Sequence, residues 1–103
     1  MSYRISVTEA AINDMDNIYD YIAYQLNEPS IAIDIINKLE ERINKLDEMP
    51  YKFREYEVEP WKSKGMHIMA VGNYVVLYTP KEEEKAVTIN RVFYGGRDIP
   101  NHI

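Results

Sequence analysis

Residues that could hold a phosphate or exchange a proton near neutral pH are concentrated in the second half of this 103-residue sequence. Lys62 and Lys64 could bind a phosphate group or supply a proton. His67 and His102 could act as acid or base, because the pKa of histidine lies near neutrality. The planar guanidinium of Arg97 suits a phosphate, and the glycines before it leave the backbone open. Together these five residues form a plausible general acid–base set.

Each of these residues also has an ordinary structural explanation. The two lysines could be solvent-exposed loop residues, because charged side chains mostly lie at the surface. His67 could be a hydrogen-bonded histidine within a sheet. Arg97 could form a salt bridge with Asp98 or with a helix carboxylate, and His102 could be an ordinary chain-end residue. The sequence leaves both explanations open at every position.

The first elements that must position these residues follow from hydrophobic periodicity. Residues 3–7 alternate and predict a short strand. Thr8 is typical of a helix N-cap. The apolar residues that follow recur with a helical period and predict the first helix: Ala11, Met15, Ile18, Tyr19, Ile22 and Leu26. The polar residues of its opposite side are expected to lie in water, and without a histidine nearby they predict no metal site: Asn13, Asp14, Asp16, Asn17 and Asp20.

A second helix is predicted between Pro29, which suits a first helical turn, and Pro50, which stops it. The short link between the two helices predicts an antiparallel hairpin. Residues 50–65 show no clear period, and a loop of this length is typically functional. The apolar stripe of the second helix comprises Ala32, Ile35, Ile36, Leu39, Ile43 and Leu46.

Three strands are predicted after this loop, over residues 66–71, 74–79 and 86–94. Arg91 and Tyr94 lie on or at the end of the last strand and could contact a substrate. The apolar residues around them do not settle which face of that strand is buried, and a bulge is possible.

The predicted element order is β-α-α-β-β-β, within a single domain that spans residues 1–103. This order predicts an α+β fold in which the helical hairpin packs on one face of a mostly antiparallel twisted sheet. The other face is then expected to be free for a ligand, a substrate or a partner.

Composition narrows the possible functions. The chain has no cysteine, which excludes disulfides and thiolate chemistry. It has no run of about 18 apolar residues, so no membrane span is predicted, and a cytoplasmic location is expected. Residues 1–49 hold ten Asp/Glu and four Lys/Arg, a charge of −6, whereas residues 50–103 hold seven and eight, a charge of +1. A nucleic-acid-binding patch would therefore have to be local and lie in the second half.

Two stretches resemble the RelE/ParE toxin family. In one, a strand opened by Asn73-Tyr74 is followed by a strand that ends in Gly95-Gly96-Arg97-Asp98. The other is the Thr-capped helix that carries Ile18-Tyr19-Asp20-Tyr21-Ile22. The resemblance covers nearly the whole chain. It implies a RelE/ParE-like fold and the toxin of a type II toxin–antitoxin system, an addiction or plasmid-stabilisation module, which a cognate antitoxin holds inactive.

The resemblance implies two mechanisms. RelE-like members cut mRNA in the ribosomal A site, with no metal or organic cofactor, whereas ParE-like members poison DNA gyrase. For cleavage, the match assigns catalysis to Lys62, Lys64, His67, Arg97 and His102, with substrate contacts from Arg91 and Tyr94. The late acid–base cluster favours this mRNA interferase hypothesis, which is therefore the first expectation, with gyrase poisoning as the alternative.

Other features favour the gyrase hypothesis. Ala70 stands where RelE-like ribonucleases tend to have arginine, and the net charge of −5 is unfavourable for docking into ribosomal RNA. The tail over residues 97–103 resembles ParE-like endings. A third hypothesis is a degenerate, non-toxic relative that only binds an antitoxin.

Overall fold

The computed structural model describes residues 2–95 and has the predicted order of elements. The elements are β1 (Arg4–Val7), α1 (Glu9–Asp20), a π-helical turn (Tyr21–Gln25), α2 (Pro29–Asn44), a 3-10 turn (Lys45–Asp47), β2 (His67–Val71), β3 (Tyr74–Lys81) and β4 (Ala86–Tyr94). The α+β prediction, with a helical hairpin on a sheet, is confirmed. Strand β3 continues to Lys81, two residues beyond the predicted end. Within residues 2–95, no helix combines the length and apolar character that a membrane span requires.

The sheet has the strand order β1-β4-β3-β2. Strands β2, β3 and β4 are consecutive antiparallel neighbours, because short turns connect them. Strand β1 joins the other edge of β4 in parallel, and its pairing ends where Val7 meets Ile89. Beyond Ile89, that edge of β4 is therefore open to whatever follows β1 in the chain.

Thr8 follows β1 directly and starts α1 at this open edge. Its side-chain hydroxyl accepts a hydrogen bond of 3.1 Å from the backbone N–H of Ala11, so the predicted N-cap is confirmed. The same hydroxyl donates to the backbone oxygen of Asn90 over 3.0 Å, and the backbone N–H of Thr8 donates to Ile89. One residue therefore both begins the helix and ties it to the middle of β4, where the pairing with β1 ends.

We expect Thr8→Ala to lower the free energy of unfolding by about 1–2 kcal/mol, because it removes the N-cap and the bond to Asn90 together. Thr8→Ser keeps the hydroxyl and should lose less than half of that amount. Urea denaturation followed by circular dichroism measures both. Equal losses in the two variants would contradict a role for the hydroxyl.

The main core lies between the hairpin and the sheet. Tyr78 is fully buried there and donates its hydroxyl to the backbone oxygen of Pro50 over 2.6 Å. Burial raises the pKa of Tyr78 to about 12, so the hydroxyl keeps its proton. The other buried members of this core are Ala11, Leu39, Ile43, Leu46, Met69, Val71, Val76, Val87, Ile89 and Val92.

The opposite face of the sheet is not free, contrary to the prediction. The 50–65 loop runs along the edge of β2, where Tyr56 N–H donates to Met66 O over 2.8 Å. Ile68 N–H in turn donates to Arg54 O over 3.0 Å. The loop thereby places Tyr56 and Trp61 over the sheet's second apolar face, whose buried members also include Leu77 and Phe93. Alternate strand residues present apolar side chains to this side, and the loop aromatics cover them.

The first helix does not continue regularly to Leu26 as predicted. It widens into the π-helical turn, in which Leu26 N–H donates to Tyr21 O, five residues back, over 3.0 Å. In a regular α-helix, residues five apart point about 140° away from each other. The wider turn brings the directions of the Tyr21 and Leu26 side chains closer together. Ile22 and Ala23 are buried within this turn, while Leu26 is 51% exposed.

Candidate functional site

A groove of about 670 Å³ lies between the helical hairpin and the ends of β3 and β4. We call it the hairpin groove. One side is formed by α1, the π-helical turn and the start of α2, and the other by the strand ends. Its lining residues are Asp14, Asn17, Ile18, Tyr21, Ile22, Leu26, Glu28, Ile31, Ile35, Tyr74, Val92, Phe93 and Tyr94.

Three tyrosines lie close together in the hairpin groove. Tyr74 and Tyr94 meet edge to face with their ring centroids 5.7 Å apart. Burial raises the pKa of Tyr74, and the neighbouring phenols of Tyr94 and Tyr21 raise it further. The Tyr74 hydroxyl therefore keeps its proton at neutral pH. Tyrosines of this kind offer a bound segment both an apolar ring and a hydrogen-bonding hydroxyl.

A paired charge forms one wall of the hairpin groove. The carboxylate of Asp14 accepts bonds of 2.7 Å and 2.9 Å from Nε and Nη2 of Arg91, and a third of 2.9 Å from the backbone N–H of Val92. The hydrogen bond to Asp14 raises the pKa of Arg91. The pair is bidentate, the strong geometry for an arginine and a carboxylate.

Asp14 was expected in water, but its side chain is only 13% exposed. The reason is that β1 pairs with β4 only as far as Ile89. Beyond Ile89, the carboxylate of Asp14 on α1 accepts the hydrogen bond from Val92 N–H in place of a neighbouring strand. A β-bulge helps, because Leu77 pairs with Arg91 and Tyr78 with Ile89, which leaves Asn90 as the extra residue. No periodicity argument could reveal this contact, since it joins residues 77 positions apart.

Arg91 was predicted to contact substrate. Besides its bonds to Asp14, its guanidinium lies 4.6 Å from the centroid of the Phe93 ring. The bonds to Asp14 anchor α1 to β4. A contact between Arg91 and a substrate stays a prediction. Tyr94, the second predicted substrate-binding residue, is 52% exposed and lines the hairpin groove.

His67 begins β2, one residue after the predicted start of this strand, and is only 7% exposed. Its Nδ1 lies 2.8 Å from the backbone oxygen of Phe53, which can only accept, so Nδ1 carries the proton. The ring packs between Tyr51 and Tyr78, with centroid distances of 5.8 Å and 5.5 Å. In this position the histidine fastens the 50–65 loop to the sheet. Its predicted acid–base role stays a prediction.

Lys62 and Lys64 are exposed in the 50–65 loop. Lys62 Nζ lies 3.8 Å from a carboxylate oxygen of Glu57. Nearby, Glu59 accepts bonds from the hydroxyl and the backbone N–H of Ser63, and these bonds lower the pKa of Glu59. Lys62 and Lys64 thus belong to a stretch of the loop that is held by local hydrogen bonds and an ion pair.

Three of the five predicted acid–base residues lie in the part of the chain that the structure describes. Lys62 and Lys64 are exposed on the loop, whereas His67 is buried beneath it. Arg97 and His102 lie outside the described residues. Within residues 2–95, no group of three or more histidines and carboxylates could hold a metal ion.

Sequence reasoning missed the hairpin groove, because Tyr21, Ile31 and Tyr74 were not selected and Leu26 was assigned to the core. One signal was available. Residues 5–37 contain six Asp/Glu and no Lys or Arg, and this acidic stretch includes the whole helical side of the groove.

The fold and the sequence define the class of protein. The sequence model of the ParE toxin of type II toxin–antitoxin systems matches residues 5–99. The chain belongs to this ParE toxin family, and the predicted RelE/ParE resemblance is confirmed.

Solved structures of this class share the fold. A chain of the chromosomal ParDE toxin–antitoxin system from P. aeruginosa is similar, with a TM-score of 0.73 and 20% identity over 90% of this chain and 96% of that one. A chain of the RelBE2 toxin–antitoxin complex from Mycobacterium tuberculosis has a TM-score of 0.65 and 21% identity, over 91% and 99%. A RelE toxin mutant from E. coli in the free state has a TM-score of 0.67 and 12% identity, over 99% and 93%. No curated protein sequence matches this chain.

Proposed function

We propose that this toxin acts by binding DNA gyrase, without acid–base chemistry of its own, and that a cognate antitoxin neutralises it. The observation that supports the proposal is that His67 and Arg91, two of the residues that the cleavage hypothesis uses, are engaged inside the protein. Cleavage of RNA needs groups that converge on one ribose and one phosphate. In contrast, His67 is buried under the loop, and the Arg91 guanidinium is bonded to Asp14.

Charge supports the same proposal. Affinity for RNA depends strongly on contacts between basic side chains and phosphates. The whole chain carries a charge of −5, and Lys62 lies beside Glu57. A toxin that works by binding a protein has no such requirement. Membership of the ParE toxin family points in the same direction, because the resemblance implies gyrase poisoning for ParE-like toxins.

An antitoxin partner is proposed because similar folds occur in such assemblies. The similar chains from P. aeruginosa and M. tuberculosis come from a ParDE system and a RelBE2 toxin–antitoxin complex. This chain also presents a large groove with half-exposed apolar side chains, which a neutralising partner could cover.

Ribosome-dependent mRNA cleavage is the second candidate. The observation in its favour is the exposure of Lys62 and Lys64 on the loop that the family resemblance associates with basic catalytic residues. Gyrase poisoning impairs supercoiling of DNA, whereas the ribonuclease cuts mRNA. Assays with one purified protein can therefore distinguish the two mechanisms.

We expect the purified protein to inhibit supercoiling of relaxed plasmid by DNA gyrase and to leave a defined message intact during cell-free translation. Gel electrophoresis measures supercoiling, and primer extension along the message detects cleavage. Addition of the antitoxin should restore supercoiling, which controls for a contaminating nuclease. Cuts in register with codons, present only when the message is translated, would replace the gyrase proposal with the ribonuclease.

A further inference from the structure

A second concave surface lies on the helical hairpin, separate from the hairpin groove. It is a crevice of about 240 Å³ between α1 and α2, and none of its lining residues also lines the hairpin groove. We call it the outer crevice, and its lining residues are Ile12, Met15, Asp16, Tyr19, Ile36 and Glu40. We propose that the toxin contacts gyrase through the outer crevice, which receives a basic region of gyrase that carries an apolar side chain. The inference rests on the proposed function for the identity of the partner.

Apolar exposure around the outer crevice is the first argument. Ile12 and Tyr19 lie seven residues apart on α1, which places them on the same side of that helix. Ile33 precedes Ile36 by about one turn on α2, so the two are neighbours on the helix surface. Ile12 is 46% exposed and Ile33 is 48% exposed. Single exposed apolar residues are normal on protein surfaces, but a contiguous set marks an interaction site.

The π-helical turn extends this apolar surface. Its Tyr24 is 74% exposed and meets Tyr19 edge to face, with the ring centroids 6.4 Å apart. Five residues separate the two tyrosines, and in a regular α-helix their side chains would point about 140° away from each other. The wider turn therefore brings a second aromatic ring beside the outer crevice. Tyrosine is enriched in protein interfaces, and π-helical turns occur frequently at functional sites.

Charge identifies the kind of partner. Asp16 and Glu40 line the outer crevice, and no ion pair within residues 2–95 involves either of them. Residues 5–37, which include the whole of α1, contain six Asp/Glu and no Lys or Arg. A second copy of the hairpin would bring like charge, so a basic surface is the complementary occupant. An enzyme that acts on DNA holds the phosphates with Lys and Arg side chains, so gyrase has surfaces of this kind.

Two matched pairs of variants test the outer crevice. Glu40 and Glu41 are consecutive exposed glutamates on α2, but only Glu40 lines the crevice. Glu40→Lys and Glu41→Lys change the net charge equally, so any general attraction for a basic partner changes equally in both. Ile12→Ala removes an apolar side chain from the crevice, whereas Met49→Ala removes one that is 63% exposed outside it. Because none of the four side chains is buried, all four variants should fold, and thermal unfolding verifies this.

The measurement is the affinity of purified gyrase for immobilised toxin, followed by biolayer interferometry. We expect Met49→Ala to bind as the wild type does, and Glu41→Lys to bind within about twofold of it, because salt screens distant charges. Glu40→Lys should bind at least about tenfold more weakly, because its lysine would face the basic region of the partner. Ile12→Ala should bind at least about threefold more weakly, because apolar contact is lost. Inhibition of supercoiling should weaken in the same order.

The wild-type protein alone tests the proposed function. If it neither binds nor inhibits gyrase, the proposed function fails and the inference fails with it. If it inhibits gyrase and Glu40→Lys binds gyrase as well as Glu41→Lys does, the proposed function stands and the inference about the outer crevice is overturned. In that case, loss of antitoxin binding by Glu40→Lys would assign the crevice to the antitoxin, and loss of self-association on a sizing column would assign it to a second copy.

Discussion

Asp14→Ala should lower the free energy of unfolding by about 2–4 kcal/mol, more than any other polar substitution on α1. The change removes the carboxylate that bonds the partly buried Arg91 guanidinium and the backbone N–H of Val92. The arginine would then keep its desolvation cost without this counter-charge. Urea denaturation should show a lower midpoint with an unchanged slope, because the folded structure is otherwise retained.

Asp16→Ala is the matched control for this prediction. It removes the same charge from the same helix at an exposed position and should change stability by less than about 0.5 kcal/mol. Asp14→Asn should fall between the two, since the amide oxygen can still accept from Val92. If Asp14→Ala unfolds at the same urea concentration as Asp16→Ala, the ion pair does not anchor α1 to β4.

His67→Ala should lower the free energy of unfolding by about 2–4 kcal/mol while leaving inhibition of gyrase unchanged in the folded fraction. The substitution empties the space between the rings of Tyr51 and Tyr78 and removes the hydrogen bond to Phe53. Thermal unfolding measures the first effect, and a supercoiling assay at a temperature where the variant is folded measures the second.

Lys64→Ala provides the comparison for His67. The lysine is exposed, so its loss should leave stability within about 0.5 kcal/mol of wild type. The acid–base role predicted from sequence would be established by a different pair of results. The wild type would cleave translated message, and a fully folded His67→Ala or Lys64→Ala variant would not. If His67→Ala is as stable as the wild type, His67 does not hold the 50–65 loop on the sheet.

Hydrophobic periodicity was sufficient to predict the elements of this fold. The stripe of α2 includes Ala32, Leu39 and Ile43, which are all buried as predicted. Thr8 caps the first helix, and Pro29 opens the second. These features depend on local geometry, since capping and amphipathic spacing are decided within a few residues.

Contacts between distant segments could not be predicted in the same way. The bond from Arg91 to Asp14 depends on where β1 ends beside β4 and on the bulge at Asn90. The cover of the second sheet face depends on how the 50–65 loop runs along β2. Neither leaves a period in the sequence, because each is made by single residues far apart in the chain.

The same distinction between local and long-range features applies to the candidate site. The sequence by itself determined the element order, the family and the acidic character of the helical hairpin, because these depend on residue type and local spacing. Only the tertiary structure decided that His67 is enclosed by the loop, that Arg91 is bonded to Asp14, and that the π-helical turn places Tyr21 and Leu26 in one groove. Burial and pairing depend on the segments that pack around a side chain, and these are assembled only when distant parts of the chain meet.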